Sequence, residues 1–204
     1  MFNKKILKQT GQGLIEATAS IAIIAMGMSA IISLVIMSLA SDKENSNRMI
    51  ATNLLREGIE VARNQRDSNW LRIDSGVVGA AWDDGLYNNK DYTVIINFDE
   101  STGDWDFQFQ PNIISSPYCK MYLKNEVYEQ RNGVVPGGIP TNFYRLIKLY
   151  PICELDGVET IAEDGQVCND VAPGSDKIGI QVISEVIWGD GKSVLARDKL
   201  YNWK

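Results

Sequence analysis

The most one-sided stretch of the chain is Ala17–Ala40, twenty-four consecutive residues without a charge, eighteen of them apolar and the rest Thr, Ser and Gly. A bilayer core is crossed by about 20 predominantly apolar helical residues, so this run predicts a membrane-spanning helix rather than a core element. Small residues recur within it at Ala22, Ala25, Ser29 and Ser33. Such a stripe lets helix backbones approach closely in lipid, although the abundance of Ala and Ser in any span produces similar spacings. Past the run the pattern becomes amphipathic. In Asn47–Arg66 the apolar or small residues Ile50/Ala51, Leu54/Leu55, Gly58/Ile59 and Ala62 return every three to four positions. Arg48, Arg56, Glu57, Glu60, Arg63 and Arg66 fill the other faces, a solvated pattern. No proline interrupts Gln12–Arg66, which predicts one helix over 12–66, ended by Asp67-Ser68-Asn69.

From residue 67 to 204 the pattern predicts an antiparallel β domain. Tyr92–Phe98 is rich in β-branched residues, and Trp105, Phe107 and Phe109 alternate with Asp106, Gln108 and Gln110. Ser101-Thr102-Gly103-Asp104 is the turn expected between them. Tyr118–Leu123 and Phe143–Leu155 predict further strands. Lys177–Trp188, the turn Gly189-Asp190-Gly191 and Lys192–Tyr201 predict a closing hairpin. Val77–Tyr87 and Asn132–Thr141 are Gly- and Pro-rich loops. Trp70, Trp82 and Trp105 are expected in the core rather than in an adhesive surface patch.

Composition then removes function classes. The chain has no histidine, which takes away the commonest general base and the commonest transition-metal ligand. Three cysteines, Cys119, Cys153 and Cys168, are too few and too spread for structural zinc. Twenty basic residues against 26 acidic ones give a net charge of −6, a poor basis for nucleic-acid binding. No phosphate-cradling glycine loop or nucleophile elbow occurs. No catalytic residue, enzymatic activity, cofactor, metal site or nucleic-acid partner is therefore expected.

The chain opens with Lys4, Lys5 and Lys8 and no acid, whereas balanced Asp42, Lys43 and Glu44 follow the apolar run. Positive charge stays on the cytoplasmic side, so the N-terminus is expected inside and everything after Ala40 outside. A secretory signal also starts basic, but its apolar core is about 7–15 residues. Ser38-Leu39-Ala40 would serve as its small-x-small cleavage site, with release after Ala40. Between the lysines and the apolar run stands Gly11-Gln12-Gly13-Leu14-Ile15-Glu16. A carboxylate at the threshold of a membrane helix is costly unless its charge is compensated, or unless the helix simply begins in the headgroup layer with Glu16 near its positive end.

This arrangement of basic leader, glycine, Leu-Ile-Glu and long apolar run resembles the type IV prepilin signature, also found in the pseudopilins of type II secretion systems. The resemblance covers roughly residues 4–66. It implies cleavage between Gly11 and Gln12 by a prepilin peptidase and methylation of the new terminus at Gln12. Glu16 becomes the fifth mature residue, the acid characteristic of the family, with a role in assembly. The family usually has Phe and Thr where this chain has Gln12 and Gly13, and major pilins carry a kinking proline where this chain has Ser33. Those departures point to a minor pilin or pseudopilin. The resemblance further implies an α+β pilin-like fold: leader 1–11, a long helix 12–66 with its transmembrane segment about 17–40, and a β-rich domain 67–204. The expected partners are the peptidase, other pilin or pseudopilin subunits, an inner-membrane assembly platform and the lipid bilayer. The protein would be single-pass in the membrane before assembly and part of a cell-surface or periplasmic filament afterwards. Ile183, Val186 and Trp188 approximate the late Val-x-Val-x-Trp strand of the minor-subunit group. The rival is a signal-anchored surface binding protein that forms no filament.

The physical logic of the motif stands without the family. Cleavage would remove Lys4, Lys5 and Lys8, leaving a net −9, and create an amine at Gln12. A buried ammonium and a buried carboxylate each cost several kcal/mol alone, and pairing offsets much of that. Glu16 facing a neighbour's Gln12 amine would fix the stagger of helices that the apolar stripe holds together. Further along, an outward location permits a disulfide between Cys153 and Cys168, worth about 3 kcal/mol in the chain-entropy model. It would resemble the late disulfide-bounded loop of major pilins; the alternative is three free thiols. Cys119 has no evident partner. Glu154, Asp156, Glu159, Glu163 and Asp164 fall in that loop. Carboxylates suit calcium, but their spacing matches no EF-hand, and a solvated face is expected.

Overall fold

The computed structural model describes residues 12–88, 91–99, 103–110, 113–131 and 133–202. It has an α+β layout, one long N-terminal helix followed by an antiparallel β-sheet domain. The chain divides into two units, Met1–Ser46 and Asn47–Lys204. The helix α1 spans Gln12–Asp74, so its first part belongs to one unit and its last part to the other.

The second unit is organised by one long strand. β5 (Ile139–Leu155) pairs along one edge with β7 (Asp176–Trp188), from Phe143↔Trp188 to Glu154↔Asp176. Its other edge is shared by three short strands in succession. They are β3 (Lys120–Lys124), β1 (Thr93–Asp99) and β6 (Val158–Ile161). β2 (Asp104–Phe109) extends β1, β4 (Val127–Gln130) extends β3, and β8 (Lys192–Tyr201) extends β7, with every pairing antiparallel. A four-residue helix, α2 (Cys168–Val171), precedes β7.

Helix residues 47–74 bury the expected stripe. Ala51, Leu54, Leu55, Ile59 and Ala62 are all buried. The first three join Met121, Phe143, Val186 and Trp188 in one cluster. Ile59 and Ala62 join Trp70, Trp82, Val94, Ile147 and Val182 in a larger one. Trp70 and Trp82 are thus core residues, and Trp105 packs half-buried against the same cluster.

Three boundaries differ from the sequence reading, the smallest at the expected strand Tyr118–Leu123, where Pro117–Cys119 form a 3-10 turn and β3 begins at Lys120. The helix does not end at Arg66 but runs eight residues further, through Asp67-Ser68-Asn69, to Asp74. Asn69 is completely buried, and its Nδ2 donates to the carbonyls of Trp82 (3.1 Å) and Asp84 (2.7 Å). Gln65, one turn earlier, donates to the same Asp84 carbonyl at 3.2 Å. Tertiary hydrogen bonding to the following loop therefore outweighs the weak helix propensity of Asp-Ser-Asn. The stop is a Schellman motif. Val77 N–H donates to Arg72 O and Gly76 N–H to Ile73 O, with Gly76 at φ +79°. Lys177 of β7 also holds this loop, pairing with Asp83 and lying 3.7 Å above the Tyr87 ring. The third difference is that β5 starts at Ile139, inside the expected loop 132–141, and carries Pro140 opposite Tyr122 of β3. β4, β6 and α2 are short elements absent from the sequence reading, β4 and β6 each following its partner across a two-residue turn, Asn125-Glu126 and Asp156-Gly157.

Candidate functional site

The N-terminal unit presents its apolar side chains outward. Leu14 is 75% exposed and Met37 71%, with Ile21, Ile24, Ile32 and Leu39 similarly bare. Among the described residues α1 alone is long and apolar enough to cross a membrane. Four of the five hydroxyls in the run Ala17–Ala40 are satisfied within the helix. Thr18 Oγ1 donates to Ile15 O, Ser20 Oγ to Glu16 O, Ser29 Oγ to Met26 O and Ser33 Oγ to Ser29 O, all at 2.8–3.0 Å. A hydroxyl folded back on its own helix brings no unmet donor into hydrocarbon. Gly27 has open space around it.

Against that apolar surface Glu16 is exposed on α1, one residue before the uncharged run. Among the described residues its carboxylate has no hydrogen-bond or ion-pair partner. Gln12 is the first described residue of α1, and Gly11 lies outside the described residues. The cleavage and methylation expectations at Gly11 and Gln12 thus rest on sequence. The helix brings Gln12 and Glu16 four positions apart, one turn, on one face.

Cys153 and Cys168 are joined by a disulfide with their Cα atoms 5.3 Å apart. Cys153 lies near the end of β5 and Cys168 opens α2, so the bridge pins the excursion through β6 back onto the sheet. Cys119 is a free, fully buried thiol whose Sγ–H donates to Ile113 O at 3.5 Å. Burial pushes its pKa up to about 12. The acids of the bridged loop face different partners. Asp164 accepts from Tyr150 Oη at 2.7 Å. Glu159 accepts from Tyr201 Oη (3.0 Å) and Lys199 Nζ (3.2 Å), and these two bonds hold its carboxyl below the usual range. Among the described residues no group of three or more acidic, Cys or His side chains is placed to hold a metal ion.

Among the buried polar residues of the second unit that escaped the sequence reading, which include Gln130, two carry tertiary contacts to α1 or its following loop. Asn69 is one. The other is Arg145, whose side chain is 1% exposed and whose Nη1 stands 3.2 Å from Glu57 Oε1. Burial pushes its pKa down, and Glu57 opposes that. The signal was present in the alternation of β5, where Phe143, Arg145, Ile147 and Leu149 share the inward face. No family model, no curated protein and no solved structure matches this chain.

Proposed function

We propose that the protein is a structural subunit, minor rather than major, of a type IV pilus-like filament, assembled through its N-terminal helix. The observation that carries this reading is a single carboxylate, Glu16, standing without a partner among the described residues just before the apolar run of a helix whose apolar side chains are exposed. An apolar run accounts for membrane residence, and a simple anchor needs nothing more. A lone acid four residues from a newly made amine adds an element that a bundle of such helices would use to set its stagger. Prepilin peptidase would cut after Gly11 and the Gln12 amine would be methylated. Subunits would leave the membrane through an assembly platform as their apolar stripes exchange lipid for one another. The Cys153–Cys168 disulfide supports placing the β domain on the oxidising side of the membrane, with the lysine-bearing start in the cytoplasm.

Processing tests the reading. Intact mass and N-terminal sequencing of protein isolated from its native host should find N-methylated Gln12 as the first residue. A chain beginning at Ser41 would lack the helix needed for assembly and would overturn the proposal.

A further inference from the structure

The β domain holds a cleft of about 400 Å³ that filament assembly leaves unexplained. The β1–β2 hairpin contributes Phe98 and Trp105, whose rings are 5.2 Å apart and tilted by 59°. The β3–β4 hairpin contributes Lys124 and Tyr128, and Glu57 and Arg145 also line it. Arg145 is immobilised. Its Nε donates to Gln130 Oε1 (3.3 Å), and its Nη1 donates to Leu54 O (3.4 Å) and pairs with Glu57. Gln130 is itself fixed, since its Nε2 donates to Arg145 O at 2.6 Å. A guanidinium has five N–H donors, and among the described residues nothing accepts from Nη2.

We propose that this cleft binds an amphipathic monocarboxylate, with an aromatic or branched aliphatic body between Phe98, Trp105 and Tyr128 and its carboxylate on Arg145 Nη2. A buried guanidinium is expensive unless its donors are met, and a charge-assisted bond is roughly twice as strong as one to a neutral oxygen. Glu57, the carboxylate now on Arg145, is one-third exposed and occupies a helix surface, so it can yield to an incoming acid. The walls limit the ligand to one negative charge. Glu57 lines the cleft, and Lys124 there is paired with Glu129 at 3.6 Å, so a phosphate dianion would meet Glu57 with only one open guanidinium nitrogen. The chemistry is shared by two sources, a small aryl or alkyl acid and a polypeptide C-terminus ending in an apolar residue.

The test uses the full chain in lipid nanodiscs, titrated calorimetrically with phenylacetate, phenylacetamide and the tripeptide Ala-Ala-Phe bearing a free carboxyl. Phenylacetate should bind at least about tenfold more tightly than phenylacetamide. Trp105→Ala should weaken phenylacetate by a similar factor. Glu57→Gln, which removes the competing carboxylate, should tighten it about threefold or more. Arg145→Gln should abolish the preference for acid over amide; because Arg145→Gln leaves Glu57 unpaired and Glu57→Gln leaves the buried Arg145 unpaired, each is read in protein whose near-ultraviolet circular dichroism matches the wild type, and Trp105→Ala decides the matter if either fails to fold. A tripeptide tighter than phenylacetate assigns the site to a polypeptide terminus, and one no tighter assigns it to a small acid; both support the shared chemistry. Equal affinity for acid and amide, no tightening in Glu57→Gln, or no binding of any probe overturns the proposal.

Discussion

Gly58 of α1 rests against Ser184 of β7, so that a Cβ on the glycine would sit 2.7 Å from Ser184 Oγ. The same Cβ would lie 3.1 Å from Ile147 Cδ1. Glycine inside a helix costs about 1 kcal/mol relative to alanine, and here that cost permits close helix–sheet contact. Ser184 Oγ is buried and has no hydrogen-bond partner among the described residues. Gly58→Ala should therefore destabilise the β domain by about 1–3 kcal/mol through overpacking, despite alanine's better propensity. Denaturant unfolding of the full chain in detergent, followed by tryptophan fluorescence, measures this. Ser184→Gly in the same background should recover part of the loss. A more stable Gly58→Ala protein would mean that the contact relaxes freely.

The cysteines give a second expectation. The folded, oxidised protein should leave all three unreactive towards a thiol reagent, since Cys119 is buried and the others are bridged. Denaturation without reductant should expose one reactive thiol, Cys119. Reduction should then release the other two and lower stability by about 3 kcal/mol for a bridge closing 15 residues. More than one reactive thiol before reduction would refute the bridge.

Cys119 also sets a pH dependence. Its folded pKa is raised from 9.0 to about 12 by burial, so above pH 9 the unfolded chain loses a proton that the folded chain keeps. Stability from this group is complete below about pH 9 and declines as pH rises towards 12. Burial also raises Tyr150, Tyr92 and Tyr87, which act in the same direction at higher pH. Cys119→Ala isolates the thiol. Its stability should start lower because of the cavity, yet fall less steeply between pH 9 and 11 in denaturant titrations. Parallel curves would contradict a strongly raised thiol pKa.

How much of this was legible depended on whether one residue or its surroundings set the outcome. The apolar run, the Ala51–Ala62 stripe and the β7–β8 hairpin follow from periodicity and turn chemistry carried by neighbouring residues, and they match the structure closely. Asn69 misled because its side chain reads as a helix stop unless the Trp82 and Asp84 carbonyls are already in place. β4 and β6 each follow their partner strand across a two-residue turn, Asn125-Glu126 and Asp156-Gly157, with all four residues at positive φ; Asp156-Gly157 is a local hairpin signal that the sequence reading passed over, whereas Asn125-Glu126 carries none. The Gly11–Glu16 motif was legible as sequence and its leader half lies outside the described residues. Arg145 was visible only as a charge on an inward register, and its partners come from α1 and β4.

The central claim is that Glu16 sets the register of packed helices, and its removal tests that claim most directly. In the filament account, Glu16→Ala leaves a neighbour's Gln12 amine unpaired within an apolar bundle, a loss of several kcal/mol. Cleavage after Gly11 and membrane insertion should persist, because the leader and the run Ala17–Ala40 are untouched. A helix anchor would lose only a terminus interaction of about 0.3–1 kcal/mol. The measurement is the ratio of filament-associated to membrane-associated protein, wild type against Glu16→Ala, in cells that build filaments containing the wild type. The account predicts a sharp fall in that ratio with processing intact, and an unchanged ratio would contradict it.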